Sequence, residues 1–286
     1  MEETTSFSVS PYAERTFALL TQHGKEQVVS PILRDRLDVG VQLISSFDTD
    51  SFGTFTREVP RHGSQLEAAR AKARKAIEIA GCPYGLGSEG SFSPEIFGLG
   101  TANVEFLILL DDDREIEIAG RAHGVGVFHH GRVSDDSQLE VFALMAGFPE
   151  HSLVLRPSNE FDTRITKGIQ TWQELEAAFA KAKQLSVGGV VFVENDLRAH
   201  MNPSRMRTIQ TAARDLAERI SQHCEKCQCP GFGLVRNLSG LPCRDCGDPT
   251  LVPIADVLAC VRCGHTESRA ISATAADPAH CDSCNP

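Results

Sequence analysis

TFALLTQHGKEQVVSPILRDRLDVGVQLI, residues 16–44, decides the fold class. Its first five residues, Thr16 to Leu20, form an apolar run of the length expected for a buried strand, and TQHGK follows as a loop. From Glu26 to Leu37 the apolar residues Val28, Val29, Ile32 and Leu33 recur at roughly helical spacing, and Val39 to Ile44 reads as a second strand. Such a β-loop-α-β opening predicts an α/β domain. Ser30 and Pro31 would also suit the cap and first position of a helix that begins later than Glu26, so the helix start stays open.

Outward from this unit, strands and helices alternate. Ser64 to Ala80 is the clearest helix, with Leu66, Ala69, Ala73, Ala76 and Ile77 along one stripe and Ser64 with Glu67 spaced as a capping box. Tyr84 to Gly87 leads into a turn, SEGSF; Val104 to Leu110 reads as an apolar strand and Glu115 to Arg121 as its hairpin partner. Ser137 to Ala146, Trp172 to Gln184 and Pro203 to Ser221 are further helices, with strands at Ser152 to Arg156 and Gly189 to Val193. The expected architecture for residues 15–220 is a mixed sheet with flanking helices. The first 14 or so residues are polar and expected to fray, and Cys82 is expected to be a small buried residue.

A hydrophobic content of 41% over 286 residues is enough for a sizeable core. The net charge of -10 opposes wholesale attraction to nucleic acid or an anionic membrane, so neither is an expected partner. No run approaches the roughly 20 apolar residues of a membrane span, and the opening MEETTSFSVSPYAER lacks the pattern of a signal peptide. A cytoplasmic location is the expectation. Homo-oligomerisation stays open.

Nine of the 10 cysteines fall in the last quarter of the chain, eight of them as four Cys-x-x-Cys knuckles. In a reducing compartment that repeat indicates metal rather than disulfides, and the segments between knuckles have zinc-ribbon length. Residues 221–286 are therefore expected to form a double zinc-ribbon module with two structural zinc ions. Consecutive pairing would give one site to Cys224, Cys227, Cys243 and Cys246 and the other to Cys260, Cys263, Cys281 and Cys284. Interleaved pairing is the alternative, because four knuckles alone do not fix the partners. Five Lys or Arg stand against seven Asp or Glu in this module, a balance that favours a structural or docking role over phosphate binding.

Four clusters in the first domain could do chemistry. The loop Thr21-Gln22-His23-Gly24-Lys25, between a strand and a helix, would suit a phosphate group, since a lysine, a glycine and a helix N-terminus all favour an anion. Glu67 with Arg70 and Lys72 lies on the Ala-rich helix, where solvated charge is the plainer explanation. Ser88-Glu89-Gly90-Ser91 flanks a carboxylate with small residues that would let a hydrated metal approach. Glu194 to Arg198, followed by Asn202 to Arg205, places Arg198 and Arg205 near carboxylates, in a pattern that could grip an anion or form a capped loop.

The order TQHGK, LEAARAKA and GSEGS resembles the house-cleaning pyrophosphatases that act on inosine and xanthosine triphosphates, over about the first 100 residues. Their pattern is a Thr/Ser-x-Asn-x-x-Lys loop, a Glu-Asn-Ala-x-x-Lys-Ala helix and an acidic turn. This chain departs from it with His23 in place of asparagine, Lys25 one residue early and Ala68 in place of the helix asparagine. The resemblance implies a pyrophosphatase-like fold in which Thr21, Lys25 and Lys72 hold phosphates while Glu67 and Glu89 bind magnesium and orient the attacking water. His23, Gly24, Ser88, Arg198 and Arg205 complete the expected substrate contacts. ENDLRAHMNPSRM and the closing CDSCNP resemble an uncharacterised bacterial family that joins such a domain to zinc ribbons. Two functions follow as expectations: magnesium-dependent hydrolysis of a nucleoside triphosphate, or a non-catalytic protein whose ribbons dock a partner.

Overall fold

The computed structural model describes residues 10–49, 63–94 and 100–286, and separates the chain into Met1–Ala217 and Glu218–Pro286. Of the polar opening expected to fray, residues 1–9 lie outside the described residues. Within the rest of that opening Tyr12 is fully buried, meets Phe17 and Tyr84 edge-on, and donates a hydrogen bond to Asp111.

The first unit opens β1 (Thr16–Leu20), α1 (Glu26–Leu37), β2 (Gly40–Ile44) and α2 (Gln65–Ala80). β1 and β2 are parallel, as a strand-helix-strand crossover requires. Helix α1 starts at Glu26 and carries Pro31 inside it, so the later start suggested by Ser30 and Pro31 is not used. Three long strands follow, β3 (Tyr84–Pro94), β4 (Thr101–Asp111) and β5 (Ile116–Gly126). The five strands make one mixed sheet in the order β2-β1-β3-β4-β5, with β3 parallel to β1 and antiparallel to β4.

SEGSF is not a turn. It continues β3, and every residue from Tyr84 to Pro94 pairs with β4. Gly85 and Gly87 explain how a helix packs on so glycine-rich a strand: a Cβ at either would run into the α2 backbone, at Ala73 and Ala69. The helix therefore lies almost on the strand. Alternation along the strands puts Ile108, Leu110 and Ala119 on this same face, while Gly120 and Gly124 on the other face are approached by Ala212, Leu216 and Thr208 of α5 (Pro203–Ser221). Cys82 is half-buried rather than buried, packed at the edge of the cluster of Ala18, Leu20, Ile44 and Ala76.

Between β5 and α5 the chain builds a second sheet, which the expectation of one sheet did not include. It contains β6 (His130–Val133), β7 (Leu153–Arg156), β8 (Thr166–Ile169) and β9 (Val191–Asn195), in the order β6-β9-β7-β8, all antiparallel. Helices α3 (Asp136–Met145) and α4 (Trp172–Leu185) bury Leu139, Phe142, Leu175 and Phe179 against Leu153, Leu155, Val191 and Val193 on one face. The opposite face carries the buried pair Arg156–Glu194 (3.6 Å) and the ring contact His130–Phe192.

In the second unit, β10 (Gly233–Ser239), β11 (Pro253–Ala259) and β12 (Thr266–Ala270) form an antiparallel meander. Among the described residues no helix is long and apolar enough to cross a membrane.

Close approach of α2 to β3 gives a direct test of the first sheet. Gly87→Ala should lower the unfolding free energy by about 2 kcal/mol or more in urea titration, because the added methyl forces helix and strand apart. Gly100→Ala, where a Cβ meets nothing within 4 Å, should be nearly neutral.

Candidate functional site

Register fixes where the polar residues gather. Ala18 pairs with Gly85 and Leu19 with Leu86, and β1 ends at Leu20, while β3 runs on to Pro94. From Ser88 onward β3 has therefore lost its parallel neighbour, and the loop Thr21 to Lys25 turns away beside it. Ligands favour such crevices outside the carboxyl ends of parallel strands.

Lys25, only 5% exposed, sits at the start of α1 and donates from Nζ to the Ser88 carbonyl (3.0 Å) and the Ser88 Oγ (3.1 Å). Burial, and next Arg205, pull its pKa down from 10.5 to about 7, against the opposing pull of Glu105 and Glu89. The unfolded chain thus binds this proton more tightly than the folded one, so the contribution of Lys25 to stability rises as pH climbs from about 7 to 10.5. Near neutrality the amine therefore stands close to the midpoint between its charged and neutral forms.

Glu89 follows Ser88 and so points to the opposite face, toward α2, where Lys72 reaches it at 2.5 Å. Gln65 donates to the Glu89 and Val104 carbonyls and accepts from Ser91 Oγ, holding this stretch of β3 against the helix. Lys25 and Glu89 consequently flank one strand from two sides. Glu67, expected beside them, is exposed and turned to the helix cap: its carboxylate accepts from the Ser64 N–H at 2.6 Å, which lowers its pKa. Its geometry is that of the capping box and does not bring it to Glu89. Arg70 likewise turns outward to Glu117.

The second sheet contributes the segment after β9. Asp196 accepts from the Arg198 guanidinium through both oxygens (2.6–3.1 Å), from the Arg198 N–H and from the Gly168 N–H, which fixes the arginine in place. A single helical turn, Ala199–Met201, then brings His200 to stack on His23 of the β1–α1 loop, with ring centroids 5.3 Å apart. Gly24 turns the loop there in the left-handed region at φ 68°, a conformation that favours glycine. His23 also donates its backbone N–H to Thr21 Oγ1 at 3.2 Å. Burial first, and then Lys25, Arg205, His200 and Arg198, hold the His23 pKa down to about 3. Both arginines are themselves paired with carboxylates, Arg198 with Asp196 and Arg205 with Glu105.

Arg205 lies in the first turn of α5 and is 2% exposed; its Nε donates to Glu105 at 2.7 Å and its Nη1 to the Leu197 carbonyl at 2.6 Å. Glu105 is fully buried and also accepts from Asn103 at 3.0 Å. Gly90 lies directly opposite Glu105 in the ladder, where any side chain would collide with that carboxylate. Arg205 is thus a brace between the sheets rather than an exposed anion grip. Glu105 and His200 were missed from sequence. Glu105 did leave a signal, a carboxylate inside the strongly apolar run Val104 to Leu110.

The cysteines form two groups, and their pairing is the interleaved one. Cys224 and Cys227 meet Cys260 and Cys263, with Sγ separations of 3.7 and 3.6 Å for the crossed contacts; Cys243 and Cys246 meet Cys281 and Cys284 at 3.9 and 3.5 Å. Consecutive pairing is corrected by the meander. Each strand between knuckles carries the chain to the other end of the sheet, and Gly233 pairs with Ala259, which puts knuckles one and three together. Four sulfurs bound at 2.3 Å around one tetrahedral zinc stand about 3.8 Å apart, so both groups fit structural zinc. Each knuckle closes alike, through N–H bonds from Gln228, Gly247, Gly264 and Asn285 to the carbonyl of its first cysteine. Cys229 lies outside both groups, as do His223, His265 and His280.

Metal analysis of double variants should read the pairing directly. Cys224→Ser with Cys260→Ser should retain one zinc per chain, because both changes fall in one site, whereas Cys224→Ser with Cys243→Ser should retain none. Consecutive pairing requires the opposite for a Cys224/Cys243 double variant, which would then keep one zinc.

No curated protein and no solved structure matches the chain. A family model described as Domain of unknown function (DUF6671) matches residues 72–286, a span that takes in Lys72, Glu89, Glu105, Arg205 and all eight clustered cysteines. By that match, the chain belongs to the DUF6671 family.

Proposed function

We propose that the first unit is a hydrolase of nucleoside triphosphate phosphoanhydrides, of the kind that removes non-standard purine nucleotides. One observation carries this reading: beside the end of β1, Lys25 meets Ser88 on one side of β3 and Lys72 meets Glu89 on its other side. Lys25, Lys72 and Glu89 belong, with Thr21 and Glu67, to the residues that carry the resemblance to the inosine and xanthosine triphosphate pyrophosphatases.

The phosphates would lie over the His23–Gly24 turn, between Lys25 and Arg198, where the cations that suppress His23 would meet negative charge. Thr21 and Ser88 hydroxyls complete that cradle. In the reaction a water oxygen bonds to the α-phosphorus, the α–β bridging bond breaks to release pyrophosphate, and Glu89 takes the water's proton. Lys25, protonated as the anion arrives, offsets charge on the leaving group. Glu89 would hold a magnesium ion only in exchange for Lys72, and the ion would supply further charge neutralisation. Zinc in the second unit has a structural role, since four thiolates leave no open position.

A second reading is anion binding without hydrolysis. The observation favouring it is that Glu67 is occupied by the helix cap and Glu89 by Lys72, so among the described residues no second carboxylate stands beside Glu89 to share a metal.

Release of phosphate and pyrophosphate from standard and deaminated nucleoside triphosphates with magnesium separates the readings. Hydrolysis predicts pyrophosphate release that falls about a hundredfold or more in Glu89→Gln. Nucleotide binding with no release from zinc-loaded protein would establish the second reading, and no binding would remove both.

A further inference from the structure

The face of the second sheet turned away from α3 and α4 holds a cavity that the proposed site does not use. Directly opposed residues of an antiparallel ladder share a face, so the pairings of Phe192 with Arg132 and with Arg156 set these three in one row across β6, β9 and β7. His130, opposite Glu194, stands beside that row. The loop that follows β7 is tied back to it: Arg156 Nη1 donates to the Asp162 carbonyl at 2.6 Å, and the Asn159 side chain accepts the Phe161 N–H at 2.9 Å. The resulting cavity of about 470 Å³ is lined by His130, Gly131 and Arg132 from β6, Asn159, Glu160 and Phe161 from the loop, and Phe192 from β9.

What the cavity offers a ligand is set by its exposed groups. Phe192 is only 5% exposed and closes the cavity rather than presenting a ring. Phe161 is 70% exposed: a loop braced through Asn159, Asp162 and Arg164 holds a large apolar ring in water, where among the described residues it meets no other aromatic side chain. Arg132 is exposed as well, and among the described residues its guanidinium holds no carboxylate, whereas Arg156, Arg164, Arg198 and Arg205 each hold one. Glu160, the carboxylate of the lining, is already engaged. An exposed apolar ring, an exposed imidazole and an unpaired guanidinium on one cavity suit a flat ring that carries an anionic group. Its ring would gain contact on Phe161 and His130, and a guanidinium can take two carboxylate or phosphate oxygens at once. We propose that this cavity binds a small aromatic anion, its ring against Phe161 and His130 and its carboxylate or phosphate on Arg132. The volume lies in the range of small-molecule sites, roughly 300–1,000 Å³.

Two sources could supply that chemistry, an aromatic carboxylate or a nucleoside monophosphate, and the probes separate them. Benzoate and adenosine monophosphate, each without magnesium, are titrated into the zinc-loaded full chain and followed by amide NMR shifts. Benzyl alcohol and adenosine serve as the uncharged controls, acetate and inorganic phosphate as the anions without a ring. The expected result is a saturable shift at residues 130–132 and 159–161 with at least one of the two ring anions, and about tenfold or more weaker binding of its uncharged and ring-free controls. Arg132→Gln and Phe161→Ser should each weaken that binding about tenfold as well. Both positions are exposed, so the variants keep the core, and neither residue belongs to the proposed hydrolase site. Whichever ring anion binds identifies the source. No saturable shift at these residues with either ring anion would overturn the proposal, as would affinity that survives Arg132→Gln or Phe161→Ser. Equal binding of acetate or inorganic phosphate would also overturn it, since the site would then recognise charge without a ring.

Discussion

The buried pair between Arg205 and Glu105 is the interaction on which the arrangement of the first unit depends. A carboxylate at the centre of an apolar strand is tolerated only if its charge is matched and its oxygens are bonded. Arg205 and Asn103 supply those bonds, and Arg205 in turn donates to the Leu197 carbonyl in the segment leaving β9. Three parts of the chain, β4, the start of α5 and the end of the second sheet, are thereby held together. Asn202 completes the junction, accepting from the Arg205 N–H and the Ser204 hydroxyl. Because Arg198 and His200 lie between Leu197 and Asn202, this clamp also decides that they face the β1–α1 loop.

From that placement the electrostatics follow. Lys25 is buried with Arg205 nearby, so its amine holds a proton weakly; His23, beside the same cations, stays neutral. On the other side of β3, Lys72 neutralises Glu89. The zinc unit is held by different physics: few of its strand residues are fully buried, and the metal sites take the place of a larger core.

Much of this was legible in the residues. β1, α1 and α5 agree with their periodicity to the residue, and Ser64 with Glu67 forms the capping box that its spacing indicates. That same cap is why Glu67 is no partner for Glu89: one carboxylate cannot satisfy the helix end and reach across the sheet. β6 and β8 escaped notice because HGRV and TKGI are short and half polar, and without them a second sheet could not be inferred. SEGSF looked like a turn for want of large side chains; glycines in β3 instead make room for α2 on one face and Glu105 on the other. The cysteine spacing indicated metal but left its partners open, since the pairing depends on the direction of the strands between knuckles.

The central claim is that Lys25 lies buried in an anion site, and its own titration tests this most directly. Carbon-13 NMR of the lysine Cε resonances, assigned with Lys25→Met, follows that amine across pH with and without tripolyphosphate. The account predicts an apparent pKa of about 7 for Lys25 in the free protein and a clear upward shift when the polyanion is present. A Lys25 that titrates near 10.5 and does not respond to tripolyphosphate would contradict it.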